Sequence, residues 1–225
     1  MRLLVTKNIA QNFRTRILAF GYSVVEYPLI RKVPLDYTPK NNFNHWIFTS
    51  SYAAQLVLEH HILKTQLSDK SIFCVGKKTA ALFSENGQKV IKIAQNAAEL
   101  ALFIVKNHKN DAFSFFCGKQ RRPEIEQLLG QNAVVLDLHE LYDTLLQPQQ
   151  FSQSFDGILF YSPSAVRSFV EKNAFGQATA FCLGRSTAEE AQKYTDNISI
   201  AKTPEEACFL IELKKHFDAQ KRPLS

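Results

Sequence analysis

The sequence predicts an α/β protein made of two similar doubly wound parallel-sheet lobes. Strand-sized apolar runs alternate with helix-sized segments along the whole chain, the pattern of a helix-covered sheet. Runs such as Trp46-Ile47-Phe48 and Ile158-Leu159-Phe160-Tyr161 are apolar on both faces, as buried parallel strands must be. The third observation is that the pattern occurs twice, in the same order.

The repeat is legible in three motifs. Phe48-Thr49-Ser50-Ser51-Tyr52-Ala53 reads against Phe160-Tyr161-Ser162-Pro163-Ser164-Ala165. Cys74-Val75-Gly76-Lys77-Lys78-Thr79-Ala80 reads against Cys182-Leu183-Gly184-Arg185-Ser186-Thr187-Ala188, and Ile93-Ala94-Gln95-Asn96-Ala97 against Ile200-Ala201-Lys202-Thr203-Pro204. The offset between copies drifts by only a few residues, so the duplication sets the fold. More loosely, Leu3–Lys7, a helical stretch and Gly21–Glu26 resemble Phe113–Gly118, a helical stretch and Gly130–Val135. A plain tandem reading cuts the chain near Lys109.

Composition narrows the class. The chain has 225 residues, 45% of them hydrophobic and 21% charged, which suits a globular protein with sizeable cores. Disorder is expected only in the tail from about Asp218. No apolar run reaches the length of a membrane span, and the N-terminus reads as a first strand rather than a signal peptide. The expectation is a cytoplasmic protein without membrane association.

The chain carries 27 basic and 21 acidic residues, a formal charge of +6. The basic clusters are short: Lys77-Lys78, Lys119 with Arg121-Arg122, and Lys214-Lys215. None forms the dense stripe with aromatics that nucleic acid requires, so a small polyanion is the expected partner. Cys74, Cys117, Cys182 and Cys208 lie far apart, with no C-x-x-C and no zinc spacing. The first three sit in strand-like runs, where a thiol acts as a small hydrophobe. His60-His61 are adjacent, and there is no H-E-x-x-H. Neither a G-x-G-x-x-G after a strand nor a P-loop is present, so no dinucleotide or nucleoside triphosphate is indicated.

In a parallel sheet every strand-to-helix turn lies at the carboxyl edge, so the repeated motifs collect there. Ser162 is placed to cap a helix with Pro163 at its first position. Asn96 with Glu99, and Thr203 with Glu206, have capping-box spacing. Gly76 and Gly184 allow tight turns into helices that open Lys77-Lys78-Thr79 and Arg185-Ser186-Thr187. Each such hydroxyl taken singly is more often a cap than a ligand. Several helix N-termini on one edge, however, combine free N–H groups, hydroxyls and positive dipole ends that suit carboxylates or phosphates.

These motifs, taken in order, resemble the uroporphyrinogen-III synthase family. The markers are the Phe48-Thr49-Ser50 strand end, the Gly76–Ala80 turn and Cys117-Gly118 followed by the basic Lys119–Arg122 stretch. Later come Leu141-Tyr142-Asp143-Thr144, the Phe160–Ser164 turn and Gly184–Ala188. The resemblance departs at Tyr52, where family members often carry an arginine. It implies flavodoxin-like lobes joined by a two-stranded connector, with the active site between them. Residues 1–35 with 145–225 would form one lobe and 36–144 the other, the chain crossing near Pro28–Pro34 and Tyr142–Pro148.

The resemblance further implies a cofactor-independent lyase acting as a monomer, with no metal. Its substrate would be hydroxymethylbilane, a linear tetrapyrrole octacarboxylate, closed to uroporphyrinogen III with loss of water and inversion of the terminal pyrrole. Tyr142 is the candidate catalytic residue, a phenol that stays protonated at neutral pH and can donate to the departing hydroxyl. Thr49, Ser50, Ser51, Thr79, Asn96, Lys119, Arg121, Arg122, Ser162, Ser164, Ser186, Thr187 and Thr203 are the candidate substrate-binding residues. Two other readings stay open: a two-lobed protein that clamps an anionic metabolite without chemistry, and a regulatory module whose basic surface meets an acidic partner.

Overall fold

The computed structural model of the chain describes residues 1–39, 43–203 and 205–221, the last four as backbone only. The chain divides into two compact units, Met1–Arg31 with Leu145–Ser225, and Lys32–Thr144. It opens with β1 (Arg2–Val5), α1 (Gln11–Ala19) and β2 (Ser23–Glu26), and enters the second unit inside β3 (Ile30–Pro34). There follow β4 (His45–Phe48), α2 (Ser51–Glu59), α3 (His61–Gln66), a 3-10 turn at Leu67–Asp69, β5 (Ser71–Val75), α4 (Lys77–Glu85) and β6 (Val90–Ala94). Then come α5 (Ala97–Asn107), β7 (Ala112–Gly118), α6 (Glu124–Gln131) and β8 (Val135–Leu146), inside which the chain leaves the unit. The last stretch holds β9 (Gly157–Phe160), α7 (Pro163–Val170), β10 (Thr179–Cys182), α8 (Arg185–Ala191), β11 (Ile198–Ile200) and α9 (Glu206–Lys221).

One sheet is five-stranded, ordered β11-β10-β9-β1-β2, and the other six-stranded, ordered β3-β8-β7-β4-β5-β6. Every pair from β4 through β8 and every pair of the five-stranded sheet is parallel. Numbering each repeat from its Phe-x-Ser motif, at β4 and at β9, gives both units the strand order 3-2-1-4-5. The sequence repeat is therefore a topological repeat. In the first unit, strands 4 and 5 are supplied by the N-terminal β1 and β2, which is why their likeness to β7 and β8 was legible but looser.

Burial explains why the strands are apolar on both faces. In the Lys32–Thr144 unit, Trp46, Phe48, Ile72, Cys74 and Phe116 face α2, α3 and α4. Their neighbours Ile47, Phe73, Phe115 and Cys117 point the other way, toward Leu100 and Ile104 of α5 and Ile125 and Leu129 of α6. The other unit repeats the arrangement. Leu4, Ile158, Phe160 and Cys182 pack on α7 and α8, and Leu3, Val5, Leu159 and Phe181 on α1 and α9. Each large side chain buried this way contributes roughly 1.5–3 kcal/mol. Cys74, Cys117 and Cys182 belong to these cores as free thiols, and burial pushes each up to about 12.

Three local expectations are corrected. Gly76 turns with φ 83°, a conformation that favours glycine, but Gly184 is extended at φ −163°, which any residue adopts. The C-terminal helix α9 begins at Glu206 rather than beside Thr203, and Pro204 lies outside the described residues; the Thr203 hydroxyl instead lies 3.0 Å from Cys208 Sγ. That helix also runs through Lys221, past Asp218, where the tail was expected to begin. Among the described residues no helix is long and apolar enough to cross a membrane.

Candidate functional site

The parallel registers bring the candidate residues of the Lys32–Thr144 unit to the carboxyl edge of its sheet. Thr49, Ser50 and Ser51 follow β4, Asn96 follows β6, and Lys119, Arg121 and Arg122 follow β7. A cavity of about 390 Å³ opens there. Thr49, Ser50, Asn96, Arg121, Arg122 and Tyr142 line it, while Ser51, Thr79 and Lys119 do not. A larger cavity, about 520 Å³, lies in the other unit among segments leading into β9 and β10. It is at the amino edge of that sheet, remote from the helix N-termini, and none of the candidate residues lines it.

Tyr142 is a firmly placed polar group in this cavity. It is 7% exposed, and its hydroxyl donates to Ser50 Oγ at 3.0 Å. Ser50 also caps α2, accepting from the Tyr52 N–H at 3.3 Å. One hydroxyl therefore joins the helix start to the phenol. Tyr52 meets the Tyr142 ring edge to face, with centroids 5.0 Å apart. Gly118 makes room for the ring, because a Cβ there would lie 2.6 Å from Tyr142 Cζ. The Lys119 N–H donates to the Tyr142 carbonyl at 2.8 Å, tying the β7 turn to β8. Burial raises the phenol's pKa, the Ser50 hydrogen bond opposing it, so the group is a proton-bearing donor at neutral pH.

The other candidates of this edge divide by what already holds them. Asn96 Oδ1 accepts from the Glu99 N–H at 2.9 Å, and Glu99 accepts in turn from the Gln95 N–H, the expected box with its return bond one residue earlier. The Gln95 hydrogen bond and Lys92, 2.9 Å away, hold the Glu99 carboxyl below its usual range. That resident carboxylate occupies the N-terminal field of α5. Thr79 is buried in the first turn of α4. Arg121 turns inward: Nε meets Glu126 at 2.8 Å, and Nη1 meets Glu140 at 2.6 Å and the Gly118 carbonyl at 3.3 Å. Arg122 and Lys119 stay more open to solvent.

In the other unit, Ser162 caps α7 by accepting from the Ala165 N–H at 3.2 Å, with Pro163 at the first helical position. Ser164 accepts from Arg167 Nη2 at 3.1 Å. Ser186 and Thr187 open α8, Thr187 being buried, and Thr203 is exposed ahead of α9. These five residues follow β9, β10 and β11, again at a carboxyl edge.

Two groupings escaped the sequence reading. Lys32 Nζ lies 5.2 Å from the Tyr142 ring centroid and 5.1 Å from that of Tyr52. In the other unit, Lys7 Nζ stands 4.2 Å from the Tyr161 ring centroid and 2.6 Å from Glu206. Burial, then Glu206, raises the Tyr161 phenol. Lys7 sits in no basic cluster, and although Lys32 follows Arg31, its aromatic neighbours come from distant segments that no local signal links to it. Among the described residues no group of three or more His, Cys, Asp or Glu is placed to hold a metal ion.

Known proteins share this architecture. Residues 11–209 match the family model described as uroporphyrinogen-III synthase HemD. The fold is similar to the crystal structure of uroporphyrinogen-III synthetase from Helicobacter pylori, with TM-score 0.70 and 21% identity over 96% of this chain and 100% of that one. A mutant uroporphyrinogen III synthase from Thermus thermophilus aligns with TM-score 0.66 and 12% identity over 98% of this chain and 100% of that one. The wild-type enzyme in another crystal form gives 0.53 and 13% over 99% and 100%. No curated protein sequence matches the chain.

Proposed function

The chain belongs to the uroporphyrinogen-III synthase family, and we propose that Tyr142 is the hydrogen-bond donor for loss of water from hydroxymethylbilane. The observation that carries this reading is the phenol itself. Tyr142 is buried, its hydroxyl is held at 3.0 Å by Ser50, and it lines the cavity at the carboxyl edge. With the phenol fixed before substrate arrives, only its O–H has to turn from Ser50 to the leaving oxygen as charge develops there.

Thr49, Ser50 and the free N–H groups of α2 suit substrate carboxylates, with the exposed Arg122 and Lys119 adding positive charge. Arg121, tied to Glu126 and Glu140, shapes the turn that presents those groups. Ser162, Ser164, Ser186, Thr187 and Thr203 carry the same chemistry and are assigned to carboxylates as well. The rest of the catalysis is conformational: unassisted closure gives the symmetrical isomer, so the bound chain must be held for attack at the substituted pyrrole carbon. The reading calls for no cofactor, and we assign the enzyme to the cytoplasm as a monomer.

The test is turnover of hydroxymethylbilane by wild type and Tyr142→Phe, followed by substrate loss. A slower reaction with native near-ultraviolet circular dichroism supports the assignment; equal rates remove Tyr142 from the chemistry. Tight binding of hydroxymethylbilane without turnover would favour a binding protein instead.

A further inference from the structure

Lys32 belongs to β3, and β3 lies beside β8, the strand that carries Tyr142. Its ammonium reaches two rings at once, Tyr142 at 5.2 Å and Tyr52 at 5.1 Å. Both distances fall within the roughly 6 Å reach of cation–π attraction. Lys32 is exposed as a whole residue, and its ammonium lies within reach of both rings of the edge-to-face pair that includes the phenol.

We propose that Lys32 is a positioning residue for Tyr142, its ammonium holding the phenol ring in its donor pose and favouring release of the phenolic proton. The proposal rests on the reading of Tyr142 as donor. As the Tyr142 O–H bond breaks, the proton passes to the oxygen of the substrate's hydroxymethyl group. The carbon–oxygen bond breaks with its electron pair on oxygen, and water departs. The proton lost from the pyrrole carbon on ring closure restores the phenol, so the cycle balances. Negative charge grows on the phenol through the first step, and a cation over the ring is attracted more strongly to phenolate than to phenol. That interaction is therefore stronger in the transition state than before it, the condition for raising kcat.

Groups from three elements face this pair among the described residues. Ser50 at the start of α2 accepts from the phenol, Tyr52 of α2 gives its ring edge, and Cys117 of β7 lies behind. Lys78 of α4 faces Lys32; burial first, and then Lys78, push the Lys32 ammonium below its usual range. Lys32 therefore loses its charge at a lower pH than a free lysine.

The experiment is a kcat and KM profile against pH for wild type, Lys32→Met and Lys32→Arg, each also in the Tyr142→Phe background. Lys32→Met is expected to lower kcat about ten-fold, with KM changed less than two-fold. Wild-type kcat should decline toward the Lys32→Met level as pH rises through the Lys32 titration. Lys32→Met should lack that decline, and Lys32→Arg should keep high kcat beyond it. In the Tyr142→Phe background Lys32→Met should have no further effect.

A rise in KM at unchanged kcat would make Lys32 a direct substrate ligand and overturn the proposal. So would a ten-fold loss that persists without the Tyr142 hydroxyl, an outcome that leaves the Tyr142 assignment standing. Full activity of Tyr142→Phe alone sinks both. If Lys32→Met fails to fold, Lys32→Arg decides: losing activity at the same alkaline pH as wild type contradicts the proposal.

Discussion

The Tyr142 hydroxyl donates to Ser50 Oγ at 3.0 Å, linking strand β8 to the cap of α2 across ninety-two residues of sequence. Ser50 is thus both a helix cap and the resting acceptor for the proposed donor. Replacing it should show both roles. In Ser50→Ala the cap is lost, costing about 1 kcal/mol, and the buried phenol loses its acceptor, costing a further 1–3 kcal/mol or so. Urea denaturation should show a summed loss larger than that of Tyr142→Phe, which leaves Ser50 capping α2. Equal losses would mean the phenol does not depend on Ser50.

Gly118 and Gly130 make a matched pair. A Cβ at Gly118 would lie 2.6 Å from Tyr142 Cζ, whereas one at Gly130, in α6, meets nothing within 4 Å. Gly118→Ala should therefore displace the ring, destabilise by about 1–3 kcal/mol and reduce kcat. Gly130→Ala should stabilise by about 0.5–1 kcal/mol through helix propensity, with kcat unchanged. Thermal unfolding and turnover of the two variants check this. A Gly118→Ala enzyme with native stability and kcat would show that the ring has room to move.

Much of the fold was legible because its signals are local. Paired motifs such as Phe48–Ala53 and Phe160–Ala165 sit at strand-to-helix junctions, where cap chemistry and strand apolarity are written into neighbouring residues. Their equivalence in the two sheets, at β4 and β9, follows from the same register. The local roles of the candidate site residues were legible only where those residues shared such junctions. Asn96 and Ser162 hold the capping roles their spacing predicts, and Ser50 caps α2 as well. Arg121 read as part of a basic cluster, yet Glu126 and Glu140 turn it inward, the second through β7–β8 pairing that no short motif encodes. Lys32 was invisible for the same reason, since its neighbours come from β8 and α2.

The buried thiols set an alkaline limit on stability. Burial raises Cys74, Cys117 and Cys182 from 9.0 to about 12. Between those values the unfolded chain gives up thiol protons that the folded chain keeps, so the folded state binds more protons and stability falls as pH rises. The contribution is complete below pH 9.0 and is lost progressively toward about 12. Tyr142, raised mainly by its burial, adds the same sign above about pH 10. Urea midpoints measured from pH 8 upward should fall, and the fall should be shallower in Cys74→Ala. A flat profile would contradict this.

Capping and ligand roles at the other carboxyl edge can be separated by Ser162→Ala. Loss of the bond to the Ala165 N–H should cost about 1 kcal/mol. If Ser162 also meets a substrate carboxylate, KM should rise several-fold with kcat little changed. Steady-state kinetics beside chemical denaturation distinguishes a cap that also binds from a cap alone.

The central claim is that this chain controls how hydroxymethylbilane closes. Its most direct measurement is the isomer composition of the oxidised products after incubation of the purified protein with hydroxymethylbilane. Predominantly type III product, above that of a protein-free control, is the expected result. Type I product alone, at the rate of the control, would contradict the account.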